Sequence, residues 1–245
     1  MNNKGYFLPV SILIAAVLVS GAVIFTAGKN SGNDTAGPTT PDPDQAGDPA
    51  ELIDPVSDND YIRGNPDAPI KIVEYSDYEC PFCKSFHDTM DQVLDEYEDQ
   101  VAWVYRQFPI ESLHSKAPTE SEAAECVGKL GGNEAFWTFT DRIFEVTPSN
   151  NGLNLDTLPD IAEVAGVDRT AFESCLESGD MEDNVSQDVK EARSIDQWVR
   201  SQGGRGIGTP FSVVIGEDGS SLFFIPGALS FDQIKPSLDE ALNLD

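Results

Sequence analysis

The spacing of apolar positions changes several times along the chain, and each change marks an element. From Tyr6 to Thr26 the apolar residues run almost unbroken, interrupted only by Pro9, Ser11, Ser20 and Gly21. About 20 such residues wound as a helix cross a bilayer core, so residues 1–29 are predicted to be a transmembrane anchor. The run continues through Val23, Ile24 and Phe25, past the small residues Ser20, Gly21 and Ala22 where a signal peptidase would cut. A cleaved signal peptide stays the alternative. Lys4 before the segment and Lys29 after it leave the orientation signal weak. Residues 30–60 carry little to bury and are rich in Pro, Gly, Thr and Asp, which predicts an extended, flexible acidic linker.

The globular pattern begins near Tyr61. Residues 70–75 form a short apolar run with β-branched side chains between Pro69 and Asp77, as a buried strand does. Phe86, Met90, Val93, Leu94 and Tyr97 then recur at helical spacing. They predict a helix over 81–98 with Pro81 in its first turn, where a missing N–H does no harm. Residues 101–108 read as a second strand, completing a parallel strand–helix–strand unit. From about 116 to 202 the pattern is helical, in pieces over 123–130, 135–146, 155–165, 170–177 and 185–199. Gly131-Gly132, Asn150-Asn151-Gly152 and Gly166 separate them. After a glycine-rich stretch come Thr209-Pro210, a strand over 211–215, a turn at Glu217-Asp218-Gly219-Ser220 and a return strand over 222–225. Phe231, Ile234, Leu238 and Leu242 line one face of a closing helix. The expectation is one α/β domain over 61–245 with an inserted helical subdomain.

Composition narrows the functional classes. With 245 residues, 40% of them apolar, the chain can bury one good core. Its 43 acids against 15 bases give a net charge of −28, which repels nucleic acid and anionic membrane surfaces. The acids Asp88, Asp91, Asp95, Glu96, Glu98 and Asp99 around the first helix read as a solvated face. Trp103, Trp137 and Trp198 read as core.

The candidate chemistry is Cys80-Pro81-Phe82-Cys83, at the start of that helix. A cysteine there meets unpaired backbone N–H groups and the positive end of the helix dipole, which favour thiolate over thiol. Cys80 is expected to be the outer sulfur that meets substrate, and Cys83, one turn in, the buried resolving partner. A stable thiolate leaves readily, so the Cys80–Cys83 disulfide would be an oxidant. Zinc is the competing use of the pair. It needs two further ligands, and His87 is one turn away while His114, Cys126 and Cys175 stand apart. Glu74 lies on a strand expected to be buried, where a carboxylate is costly and its pKa rises; a partly solvated edge position is the alternative.

Several stretches together resemble the DsbA-like branch of the thioredoxin superfamily. They are the Cys80-Pro81-Phe82-Cys83 motif after a strand, Thr209-Pro210 before the hairpin, and the helices between. Gly64-Asn65-Pro66-Asp67-Ala68-Pro69, Glu74-Tyr75-Ser76-Asp77-Tyr78, Arg106-Gln107-Phe108-Pro109 and Phe136-Trp137 agree. The resemblance covers about residue 61 to the end. It implies a thioredoxin fold and a cis-proline loop at Thr209-Pro210, packed against the cysteines, whose Thr209 backbone pairs with an extended substrate. It also implies that Glu74 is the buried acid assisting proton transfer from the resolving cysteine. His114, in Leu113-His114-Ser115, matches a family motif and is assigned no role.

The activity so implied is introduction of disulfides into exported polypeptides, with no cofactor beyond the Cys80–Cys83 disulfide. A quinone-linked membrane thiol oxidase of the DsbB or vitamin-K-epoxide-reductase kind would restore it. One departure keeps an isomerase or reductase open, since Phe82 stands where strongly oxidising members carry His; Thr209 before Pro210 is also compatible with isomerases. Residues 30–60 are too polar to be the dimerisation domain of known isomerases. A redox-inert tethering module is the alternative from another class. With the first pair matched, parity leaves Cys126 and Cys175 for each other or as two free buried thiols. A bridge between them needs an oxidising compartment, which would place the domain outside the cytoplasm.

Overall fold

The computed structural model describes residues 48–244. The expected anchor over 1–29, its signal-peptide alternative and most of the expected linker lie outside them. Among the described residues no helix is long and apolar enough to cross a membrane.

Five strands form one sheet: β1 (Tyr61–Gly64), β2 (Ile70–Ser76), β3 (Val101–Gln107), β4 (Phe211–Ile215) and β5 (Ser221–Pro226). Their order is β1-β3-β2-β4-β5. β2 and β3 run parallel, and the other neighbours are antiparallel. The parallel pair is joined by α1 (Pro81–Tyr97), as a parallel connection requires. Alternation along β2 and β3 divides the core. Ile70, Ile72, Val101 and Trp103 face α1, whereas Val73, Tyr75 and Val104 face α5 (Glu182–Ser201) on the other side. Helix α6 (Phe231–Ala241) closes the fold beside α1.

Between β3 and β4 lies the helical subdomain: α2 (Ala117–Val146), α3 (Leu158–Val164), α4 (Arg169–Ser178) and α5. The break expected at Gly131-Gly132 is a kink inside α2, where Gly132 takes φ 78° and ψ −171°, a conformation that side chains disfavour. Earlier in α2, Gly128 lets Tyr61 pack against the helix; a Cβ there would fall 2.1 Å from the Tyr61 hydroxyl. Cys126 of α2 and Cys175 of α4 are joined by a disulfide across 49 residues.

Two expectations need correction. β1 was not foreseen, because four residues are too few to show an alternation. Its outer edge is satisfied by Asn133, whose side chain accepts from the Ile62 N–H and donates to the Ile62 carbonyl, each at 2.8 Å. The linker prediction also fails for residues 48–60, which pack on the domain. Ile53 is buried, the Asp48 carboxylate accepts from the Ser221 N–H at 3.1 Å, and the Asp54 carbonyl accepts from Arg106 Nη2 at 2.9 Å. The physical reason is the buried Arg106 guanidinium, which needs acceptors that the sheet does not supply.

Candidate active site

Strand β2 ends at Ser76 and delivers the chain to a tight turn. The fully buried Asp77 carboxylate organises it, accepting from the N–H groups of Glu79 at 2.9 Å and Ile110 at 2.8 Å. His114 Nδ1 lies 2.8 Å from the same carboxylate. Cys80 follows as the residue that caps α1, in extended conformation, and Pro81 opens the helix. Cys83 therefore sits in the first turn, completely buried, while Cys80 keeps 5% of its surface. Both are free thiols. Phe82, between them, is 64% exposed.

Strand β4 pairs with β2, setting Tyr75 opposite Phe211, and this register carries the preceding loop over the cysteines. The Thr209–Pro210 bond is cis. The Cys80 thiol donates to the Thr209 carbonyl at 3.3 Å. Pro210 is buried and Thr209 half-buried. The cysteine pair and the Thr209-Pro210 loop, apart in sequence, are thus brought together.

The acidities of the two thiols are driven in opposite directions. Cys80 is lowered to about 6, chiefly by the hydrogen bond from the Cys83 thiol, against the opposing effect of burial. The Thr209 side chain and the N–H groups of Cys83 and Phe82 add to this, the latter two being the unpaired donors of the helix start. Burial, and then the neighbouring Cys80, push Cys83 well above the usual thiol range. Glu74 is 1% exposed. Burial raises it to about 7, although Trp103 Nε1 donates to its Oε2 at 2.8 Å. Among the described residues no group of three or more His, Cys, Asp or Glu is placed to hold a metal ion.

Several supporting residues were not anticipated. Glu79 is fully buried beside Cys80. Its carboxylate accepts from the N–H groups of Gly152 and Leu153, each at 3.1 Å, tying the loop between α2 and α3 to the turn. Glu120 faces Glu79 and is raised to about 9, by burial first and then by that neighbouring carboxylate. Acids written beside a cysteine in so acidic a chain read as surface, and only the packing of the subdomain reveals them as buried. His114 was visible as a motif without a role; the structure places it on Asp77.

A family model described as Thioredoxin matches residues 57–197. The chain belongs to the thioredoxin family. A thioredoxin-like oxidoreductase from Silicibacter pomeroyi superposes with a TM-score of 0.59 at 25% identity, over 79% of this chain and 96% of that one. Pseudomonas aeruginosa DsbA2 shares the fold, with a TM-score of 0.58 at 24% identity over 74% of this chain and 94% of that one. A Na(+)/H(+) antiporter NhaA 1 of Mycolicibacterium gilvum is 33% identical over 146 residues, 59% of this chain. The chain spans only 22% of that relative's length.

Proposed function

We propose that this thioredoxin-family chain is an extracytoplasmic thiol–disulfide oxidoreductase that introduces disulfides into exported polypeptides through Cys80 and Cys83. The observation that carries the reading is Cys80, held at a helix start with its pKa near 6 and its sulfur against the Thr209 carbonyl. In the oxidised form a substrate thiolate attacks Cys80 Sγ, breaking the Cys80–Cys83 bond. Cys83 leaves as a thiolate and takes up a proton, because its buried site disfavours charge. Glu74, poised near 7, is the acid that supplies it. A second substrate thiolate then attacks the substrate sulfur of the mixed disulfide. Cys80 departs as a stabilised thiolate, and the substrate carries away the disulfide. During the exchange the backbone of Thr209 pairs with an extended substrate, its carbonyl released once the Cys80 sulfur carries no proton.

The buried Cys126–Cys175 bridge fits an oxidising compartment, with residues 1–29 as the membrane anchor. The reduced enzyme then needs a disulfide-bearing membrane thiol oxidase, of the DsbB or vitamin-K-epoxide-reductase kind, to accept two electrons. A second reading, isomerase or reductase, is favoured by Phe82, which brings no charge to the thiolate. The test is the thiolate absorbance of Cys80 against pH, with the redox equilibrium against glutathione. An acidic thiol with an oxidising potential supports the oxidase. A potential like that of cytosolic thioredoxin moves the chain to the second reading.

A further inference from the structure

Each turnover of the proposed exchange adds a proton to Cys83 and later removes one, yet the sulfur is sealed from solvent. Glu74 receives that proton but is sealed as well. The sheet register shows what lies beside it. Glu74 is opposite Tyr105 on β3 and Ser212 on β4, and Ser76 is opposite Gln107. Register partners and residues two apart share a face, so all five side chains lie on the floor under α1.

That floor is exceptionally polar for a core. Ser76, Gln107 and Ser212 are fully buried and Tyr105 nearly so. Ser76 Oγ, Tyr105 Oη, Gln107 Oε1 and Ser212 Oγ find no hydrogen-bond partner among the described residues. Hydroxyls placed in this way can turn and pass a proton along. Tyr78 stacks on Tyr105, ring centroids 5.5 Å apart. Its hydroxyl, 2.9 Å from Thr140 Oγ1, also faces Tyr105 and Gln107. Gln107 Nε2 donates to Glu125 Oε1 at 3.2 Å. Glu125, Tyr105 and Tyr61 line a cavity of about 660 Å³ at the β1 edge of the sheet.

We propose that Tyr105 is the middle member of a proton relay running from Cys83 and Glu74, past Ser76 and Tyr78, to Glu125 and the acidic cavity at the β1 edge of the sheet. The relay rests on the exchange reading above. It balances as one proton leaving Cys83 as its thiolate forms and one leaving the Glu125 carboxyl to the cavity, with the hydroxyls between unchanged. Glu125 suits the outer end. Burial holds it near 7 against hydrogen bonds from Gln107, Asn184 and Tyr61, with the charge of Asp60 adding to the rise. Asp188, on α5, and Tyr78 also act on it electrostatically. Tyr105 is a positioning residue here, since it touches neither substrate nor the Cys80 sulfur.

The test is single-turnover kinetics on the full-length chain carrying Tyr105→Phe, Glu125→Gln or Ser76→Ala. The rate at which Cys83 attacks a Cys80 mixed disulfide is read against pH and in deuterated water. Cys80 attack is read separately in the Cys83→Ser background. Each variant should slow the Cys83 step about tenfold and flatten its pH dependence near neutrality, with the Cys80 step and thiolate titration unchanged. Unaltered Cys83 rates in Tyr105→Phe and Ser76→Ala overturn the relay, as does equal slowing of both steps. A wild-type chain that exchanges no disulfide at all refutes the parent reading, and the relay with it.

Discussion

The Cys80 sulfur and the Thr209 carbonyl oxygen lie 3.3 Å apart, although 129 residues separate them in the chain. The pairing of β4 with β2 makes this contact, so the sheet itself assembles the site. A carbonyl accepts from the thiol but repels the thiolate. The ionised state therefore owes its stability to the other donors around the sulfur, and the foremost of these is the Cys83 thiol.

The reduced protein is accordingly expected to show a thiolate absorbance with a midpoint near pH 6. Cys83→Ala, which removes the largest stabilising donor, should move that midpoint upward. The Cys80 pKa lies below its unfolded value of 9.0, so the stability it contributes is complete above pH 9 and lost as pH falls through about 6. Unfolding of the reduced protein between those limits should show the slope, and the disulfide form should lack it. A midpoint above about 8 would remove the basis for an oxidising disulfide.

Glu74 titrates with the opposite sign. Burial lifts it from 4.5 to about 7, so the native state retains a proton that the unfolded chain has released. Stability then falls as pH rises from 4.5 to about 7 and stays lower beyond. Glu74→Gln keeps an acceptor for Trp103 Nε1 and removes this slope. Denaturant unfolding near pH 8 should find the variant more stable by roughly 3 kcal/mol, with little gain near pH 4. An equal change at both pH values would mean that Glu74 is not the titrating group.

The parts legible in the sequence were those with a strong local period or an unusual pair. The helix after Cys80 and the β4–β5 hairpin announce themselves in this way, and the strand over 211–215 has the bounds of β4. Residues 48–60 were illegible for a different reason. Their polarity reads as linker, and the contacts that make them part of the domain, those of the buried Arg106 on β3 above all, are tertiary. Glu79, Glu120 and the orphaned hydroxyls of Ser76 and Tyr105 were likewise hidden, since burial of a polar residue is a property of the tertiary packing. Glu74 was caught because it interrupts an apolar strand.

Cys126 and Cys175 close a loop of 49 residues across the helical subdomain. On the chain-entropy account, replacing both by alanine should cost about 4 kcal/mol, read as a fall in the urea midpoint. Under oxidising conditions, loss of much less than 1 kcal/mol would show that the bridge does little for the unfolded ensemble.

The charge of −28 makes the folded surface repel itself. Salt screens that repulsion over about 10 Å at 0.1 M. Melting temperature should therefore rise as sodium chloride is added. A flat profile would mean that the acids are already neutralised by neighbours.

Arg106 offers the sharpest stability test, because its charge is enclosed and fully shared. The guanidinium pairs with Glu191, donates through Nε to Asp60 at 3.0 Å and reaches the Asp54 carbonyl through Nη2. Tyr75 donates its hydroxyl to the same Glu191 oxygen at 2.8 Å. Arg106→Met would strand the Glu191 carboxylate without its cation, a loss of about 3–5 kcal/mol, and would free residues 48–60 for hydrogen exchange. Adding Glu191→Gln keeps acceptors for Tyr75 and the Asp54 N–H while removing the stranded charge. The double variant should regain most of the stability but leave residues 48–60 exchanging fast, because Asp60 and the Asp54 carbonyl still lack their donor. If it is no more stable than Arg106→Met alone, the cost lies in lost packing of the arginine stem and the charge argument fails.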